Sequence, residues 1–478
     1  MKTTLGANEV AVPNSEEFEP RQSGYVWFIS SVAALGGLLF GYDWVVIGGA
    51  KPFYEVYFHL STPSLQGWAM SCALIGCLFG SLFSGIMSER WGRKPSLLAA
   101  ALTFAISSIC TGFAGSFATM VLWRMAGGLA IGLASSLAPM YIAEVAPAEI
   151  RGQLVCLNEL TIVIGILSAQ VANWLIARPV ADASAAAILT SWNGQQGWRL
   201  MFAATAVPAI LFLLGMLFVP ESPRWLAMRG RTEEATRTLA RIGGSAHALF
   251  VLNEIEATNA HVAEGSELRQ LLKPQLRRIL LLGVALAVLQ QWCGINVIFN
   301  YAQEIFSAAG YSLSSILFNI VVTGVVMVLF TFVSIATIDR YGRRPLMLLG
   351  SGGLAGIYVV LGTLFHSHSR GLPMLTLVIA AIACYAMTLA PVTWVILSEI
   401  FPGHVRGTAM AIATASLWVA CFILTYTFPI LNAAAGTAGT FWIYAGICVL
   451  GCGLIYVRLP ETRRQTLEEI EESWTQTL

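Results

Sequence analysis

Apolar stretches of about 20 residues recur twelve times along the chain, each long enough to cross the hydrocarbon core of a bilayer. They lie at approximately 27–50, 66–88, 95–115, 118–142, 152–177, 199–219, 277–302, 313–338, 345–366, 372–398, 407–432 and 438–457. Most of the polar stretches between them are short. The exception is 221–275, where charged and apolar positions recur with helical spacing, as in Glu233, Glu234 and Arg237 or Leu252, Glu254 and Glu256. That segment is too hydrophilic to enter lipid and predicts short amphipathic helices against the membrane surface. The pattern predicts an all-α membrane protein of twelve helices. Its parts are a tail at 1–26, a six-helix half at 27–220, the insert at 221–275, a second half at 276–458 and a tail at 459–478.

Composition removes the soluble alternative. The chain is 56% apolar and 11% charged, with a mean hydropathy of +0.71, whereas soluble domains carry about 25% charged residues. Basic residues set the orientation. Of 27 Lys and Arg, 22 fall in the tails, the insert and the alternate loops on the N-terminal side, and the opposite loops hold only Lys51, Arg178, Arg199 and Arg370. The positive-inside rule therefore predicts both termini in the cytoplasm. A net charge of +1 says nothing about partners. The nine cysteines fall within or beside apolar spans, without metal-knuckle or disulfide-framework spacing, and read as small lipid- or core-facing residues. No cleavable signal is expected, because the first apolar run is too long and lacks a small-residue cleavage site.

The chain repeats itself. The turn Gly92-Arg93-Lys94-Pro95 returns as Gly342-Arg343-Arg344-Pro345. The stretch from Glu144 to Arg151 and Gly152 returns from Glu399 to Arg406 and Gly407, and Pro220-Glu221-Ser222 returns as Pro460-Glu461-Thr462. The offsets are 250, 255 and 240 residues. Two parallel repeats rocking about a site near the midplane are a transporter architecture.

These motifs, with Gln290-Gln291-Trp292-Cys293-Gly294-Ile295-Asn296 in the seventh span, resemble the sugar porter family of the major facilitator superfamily, on its bacterial proton-coupled branch. The resemblance extends from about residue 25 to 470. It implies a multi-pass protein of the inner membrane, functional as a monomer, whose cargoes are a monosaccharide and a proton. It implies no enzyme chemistry, cofactor or metal, and no nucleic-acid partner.

Charges inside a membrane span are costly and need a reason. Asp43 sits well inside the first span and Arg124 near the start of the fourth. The two can neutralise each other across a helix interface, and the carboxylate can take up a proton when the pair opens. The plain alternative is a static pair holding two helices together. Proton symporters of the resembled family carry this Asp and Arg, and its facilitators have Asn for the Asp. Glu159 lies eight residues after Arg151, about 12 Å into the fifth span at ~1.5 Å per residue. It stands where the resemblance expects a Gln that hydrogen-bonds sugar hydroxyls. Either it accepts from hydroxyls as a carboxylate or, protonated, it replaces the Gln.

A sugar offers many hydroxyls and an apolar ring face, so its site combines amides, which both donate and accept, with aromatic walls. Gln290, Gln291, Asn296 and Asn300 supply amides and Gly294 a place where the helix can loosen; Trp394 and Trp418 supply aromatic surface. Departures from the family pattern cluster here: Asn300 for Tyr, Met327 for Asn, Ala390 for Gly, and Glu159 for Gln. They leave the identity of the sugar open among pentoses, hexoses and polyols. On the cytoplasmic rim the resemblance implies a charge network of Arg90, Arg93, Glu144, Arg151 and Glu221. Its copy in the second half is Arg340, Arg344, Glu399, Arg406 and Glu461. Two other readings of the chain are a proton-independent facilitator and a non-transporting sugar sensor.

Overall fold

The computed structural model describes residues 20–147, 150–180, 184–260, 271, 273–308, 310, 313–369, 371–401 and 405–463. Among them there is no strand, and eleven helices are long and apolar enough to cross a membrane. The eleven make twelve crossings, because the last, Gly407–Arg458, has 52 residues. A straight rod of that length would run about 78 Å, more than twice the ~30 Å hydrocarbon core. Gly436, at φ 67 and ψ 170, breaks it in a conformation that residues with a Cβ avoid. Large apolar side chains such as Leu175, Phe218, Leu450 and Val457 lie exposed on the outside, as expected of surfaces whose solvent is lipid.

The first helix, Pro20–Tyr57, runs seven residues past the end expected from hydropathy. Lys51 therefore lies within a helix and is buried, rather than in a loop. In lipid, helices gain little from burying apolar surface and associate by close packing instead. Pro63–Trp91 and Phe117–Val145 show how. Gly76 and Gly80 on one meet Gly128 and Gly132 on the other, and a Cβ at Gly128 would lie 1.9 Å from the Ala73 carbonyl oxygen. Small residues four apart on both helices bring the backbones into contact, which seats the helix that carries Arg124. The first helix packs likewise on Arg151–Ile176, where a Cβ at Gly41 would meet the Ile162 carbonyl oxygen at 1.9 Å.

The second half repeats this arrangement, with Leu313–Tyr341 against Leu372–Met387 and Pro274–Trp292 against the long final helix. Two of its crossings are interrupted. The seventh runs Pro274–Trp292, turns at Gly294 (φ 84), and resumes as Ile295–Asn300 and Ala302–Ala308. The tenth is divided at Thr388 between Leu372–Met387 and Leu389–Ile400. The halves meet where Pro63–Trp91 packs on the final helix, where Arg151–Ile176 packs on Leu313–Tyr341, and where the first helix meets the broken seventh crossing.

The insert forms Pro223–Met228 and Thr232–Ala260, the latter bent at Gly244. Trp225, Leu226, Leu239 and Leu252 make its own small core. Trp225 Nε1 donates to the Glu89 carbonyl at 2.9 Å, tying the insert to the last turn of the second helix. The terminal tails beyond 20 and 463, and residues 261–270, lie outside the described residues.

Candidate functional site

The site begins with one buried ion pair. Asp43 is 6% and Arg124 5% exposed, and the guanidinium Nη1 donates to the Asp43 carboxylate. Two apolar helices of the same half thus bury opposite charges against each other, the arrangement in which neither is left uncompensated. The guanidinium carbon lies 5.6 Å from the centre of the Phe202 ring, and Arg124 Nε has no hydrogen-bond partner among the described residues. The pair borders a pocket whose lining includes Phe40, Trp44, Met70, Leu74 and Asn300. One cavity wall therefore belongs to the ion pair and another to the seventh crossing.

The break at Gly294 aims the amides of that crossing inward. Gln290 Nε2 donates to the Ala390 carbonyl at 3.1 Å, Gln291 Nε2 to Gln290 Oε1 at 3.2 Å, and Asn296 Nδ2 to Gln291 Oε1. The three form a chain anchored on the interrupted tenth crossing. Asn300 Oδ1 is buried with no hydrogen-bond partner among the described residues. The neighbouring Tyr301 is committed to structure: its hydroxyl donates to the Thr425 carbonyl at 2.7 Å and its ring lies 4.4 Å from that of Phe428.

Trp418 is buried, with its ring 5.6 Å from Phe40 and 6.5 Å from Trp44, and its indole N–H has no partner among the described residues. Phe40 and Trp44 complete an aromatic wall that hydropathy did not single out; their spacing of four, bracketing Asp43, was the available signal. Trp394 is half-buried. Met327 is buried on the eighth crossing. Glu159 is half-buried on the fifth helix, within electrostatic reach of Tyr385 on the tenth.

At the end of the molecule that carries the turns at Gly92 and Gly342, two networks match almost atom for atom. In the first half the Arg93 guanidinium grips Glu144 with two bonds of 3.0 and 2.8 Å, and the Ser222 hydroxyl donates to the same carboxylate at 2.5 Å. Glu221 accepts from the backbone N–H groups of Arg93, Lys94 and Ser222 at 3.0, 3.2 and 2.7 Å. Burial raises the Glu221 carboxyl above its usual range, and those amides oppose the shift. In the second half Arg343 donates to Glu399 at 2.9 Å, the Thr462 hydroxyl to Glu399 at 2.5 Å, and the amides of Arg343, Arg344 and Arg463 to Glu461 at 3.0, 3.1 and 2.9 Å.

Not every residue expected in these networks is brought into them. Arg344 contributes its backbone N–H, while its side chain donates to the Tyr456 carbonyl at 2.7 Å; the guanidinium on Glu399 belongs to Arg343. Arg90 and Arg340 are exposed, with Arg340 over the Tyr341 ring at 5.7 Å. The side chains of Arg151 and Arg406 lie outside the described residues.

At the opposite end, Lys51 Nζ sits between two carboxylates. Glu55, one turn along the same helix, is 3.1 Å away, and Glu304, on Ala302–Ala308 of the other half, is in direct contact.

Three comparisons place this geometry among known proteins. The model of the family described as "Sugar (and other) transporter" matches residues 29–474. The arabinose-proton symporter of Bacillus subtilis (strain 168) is 39% identical over 464 residues, covering 97% of this chain and 98% of that protein. A partially occluded inward open conformation of the xylose transporter XylE from E. coli superposes with a TM-score of 0.82 at 36% identity, covering 93% of this chain and all of that one. The XylE structure bound to 6-bromo-6-deoxy-D-glucose gives 0.77 at 38% identity, covering 95% and 100%.

Proposed function

Because this chain belongs to the sugar (and other) transporter family, we propose that it imports a monosaccharide, a pentose or hexose, together with a proton by alternating access. The observation that carries the coupling is the buried Asp43–Arg124 pair bordering the same pocket as Asn300. Parted from the guanidinium in a largely apolar wall, the carboxylate is an uncompensated buried charge that a proton neutralises. Protonation and sugar binding then favour the same rearrangement.

Both termini lie in the cytoplasm on this reading, since the chain's basic loops and tails share their side. Gln290, Gln291, Asn296 and Asn300 offer amides to sugar hydroxyls, Glu159 offers a carboxylate from the facing half, and Trp394 and Trp418 cover the apolar ring face. The amides of the seventh crossing bond to one another, so sugar binding exchanges existing hydrogen bonds for new ones. The Arg93–Glu144 and Arg343–Glu399 networks each close within one half and stiffen its cytoplasmic end. On this reading a single chain works in the inner membrane without a cofactor, and no bond of the sugar is made or broken. The test is labelled D-xylose and L-arabinose uptake in energised cells. Wild type accumulates one of them above the external concentration, and Asp43→Asn carries it only to equilibrium. Unchanged accumulation in Asp43→Asn would sink the coupling role.

A further inference from the structure

The ion cluster around Lys51 belongs neither to the sugar site nor to the cytoplasmic networks. Its placement follows from the internal repeat. Gly41-Tyr42-Asp43 returns as Gly294-Ile295-Asn296, at an offset of 253 residues. Lys51 and Glu304 are separated by the same 253 residues, so equivalent positions of the two halves carry opposite charges. Equivalent positions of two parallel repeats meet only close to the axis relating them. Here they touch, at the end away from the termini, where a Cβ at Gly48 would come within 3.0 Å of the carbonyl oxygens of Phe299 and Asn300.

We propose that Lys51 is the latch that seals the extracellular end, closing on Glu304 of the second half and resting on Glu55 when the halves separate. The proposal rests on the alternating-access reading above. A buried ion pair broken by withdrawing one partner leaves the other charge uncompensated. The cluster avoids this, because Glu55 is already 3.1 Å from the ammonium on the same rigid helix and travels with it. Solvent access is divided accordingly. The side chains of Lys51 and Glu55 are 4% and 12% exposed, whereas that of Glu304 is 28% exposed. The side chain that departs is the most exposed of the three. The Tyr301 ring lies 5.3 Å from Nζ on a further side of the site.

Hydrogen exchange by mass spectrometry on the purified full chain in lipid nanodiscs tests the latch, with neither sugar nor a proton gradient present. It therefore fails or succeeds independently of the substrate and coupling assignments. Glu304→Gln is expected to raise exchange severalfold in residues 48–57 and 295–308. It should also lower exchange at the cytoplasmic turns 88–95 and 338–345, because opening one end closes the other. Glu55→Gln removes the resting seat and is expected to shift both ends the opposite way. Glu304→Asp should behave as wild type, which guards against a general folding defect. A rise at the extracellular end in both variants without reciprocal protection at the cytoplasmic end would mean a static packing cluster and overturn the proposal, as would no change in either.

Discussion

The two ends of this molecule use buried charge differently. At the end that carries the turns at Gly92 and Gly342 the same network is built twice, once in each half, and Arg93–Glu144 and Arg343–Glu399 each close within their own six helices. At the opposite end one cluster among the described residues joins the halves through Lys51 and Glu304. Duplicated pairs within a half determine how each bundle is shaped. A single pair across the halves determines which state the bundles adopt. Sequence repetition alone distinguishes them: a motif that recurs with like charge stays within its half, and equivalent positions of opposite charge can bridge the axis.

This contrast can be broken at several strengths. The largest effect is expected from Arg93→Met, which leaves Glu144 in a site where both side chains are under a tenth exposed. Losing one partner of a buried pair costs about 3–5 kcal/mol, seen as a lower midpoint in thermal unfolding of the detergent-solubilised protein. Arg343→Met should cost less, because its pair is 14% and 21% exposed and water screens part of the loss. Equal losses would show that the copies do not differ in burial as described. Thr462→Val deletes one hydroxyl donor to Glu399, a bond to a charged group expected to contribute about 1.5–3 kcal/mol. A sharper discriminator is transport: the two arginine variants should lower uptake in proportion to the folded protein at the membrane, whereas Glu304→Gln should change the rate per folded molecule.

Much of the fold was legible because lipid leaves few choices. Every crossing needs about 20 apolar residues, and each of the twelve expected stretches has a helical counterpart. The boundaries were less legible. Lys51 ended an apolar run and so read as a loop residue, while in the structure two carboxylates neutralise it and the helix continues to Tyr57. In the second of the two matching networks the repeat itself held the answer: Arg343, 250 residues after Arg93, begins its helix after Gly342 at φ 93, as Arg93 does after Gly92 at φ 101. Two adjacent arginines in the sequence hid which one turns toward Glu399. The amide positions of the seventh crossing were legible from their residue types, whereas their mutual hydrogen bonds and the Phe40–Trp44–Trp418 wall depend on a helix break and a contact between halves that no local pattern encodes.

The most direct measurement is external pH in lightly buffered, de-energised cells expressing the protein, as pentoses and hexoses are added one at a time. Coupled import predicts alkalinisation with the transported sugar, abolished in Asp43→Asn. Labelled sugar that equilibrates across the membrane with no pH change in wild type would contradict the account and leave a facilitator.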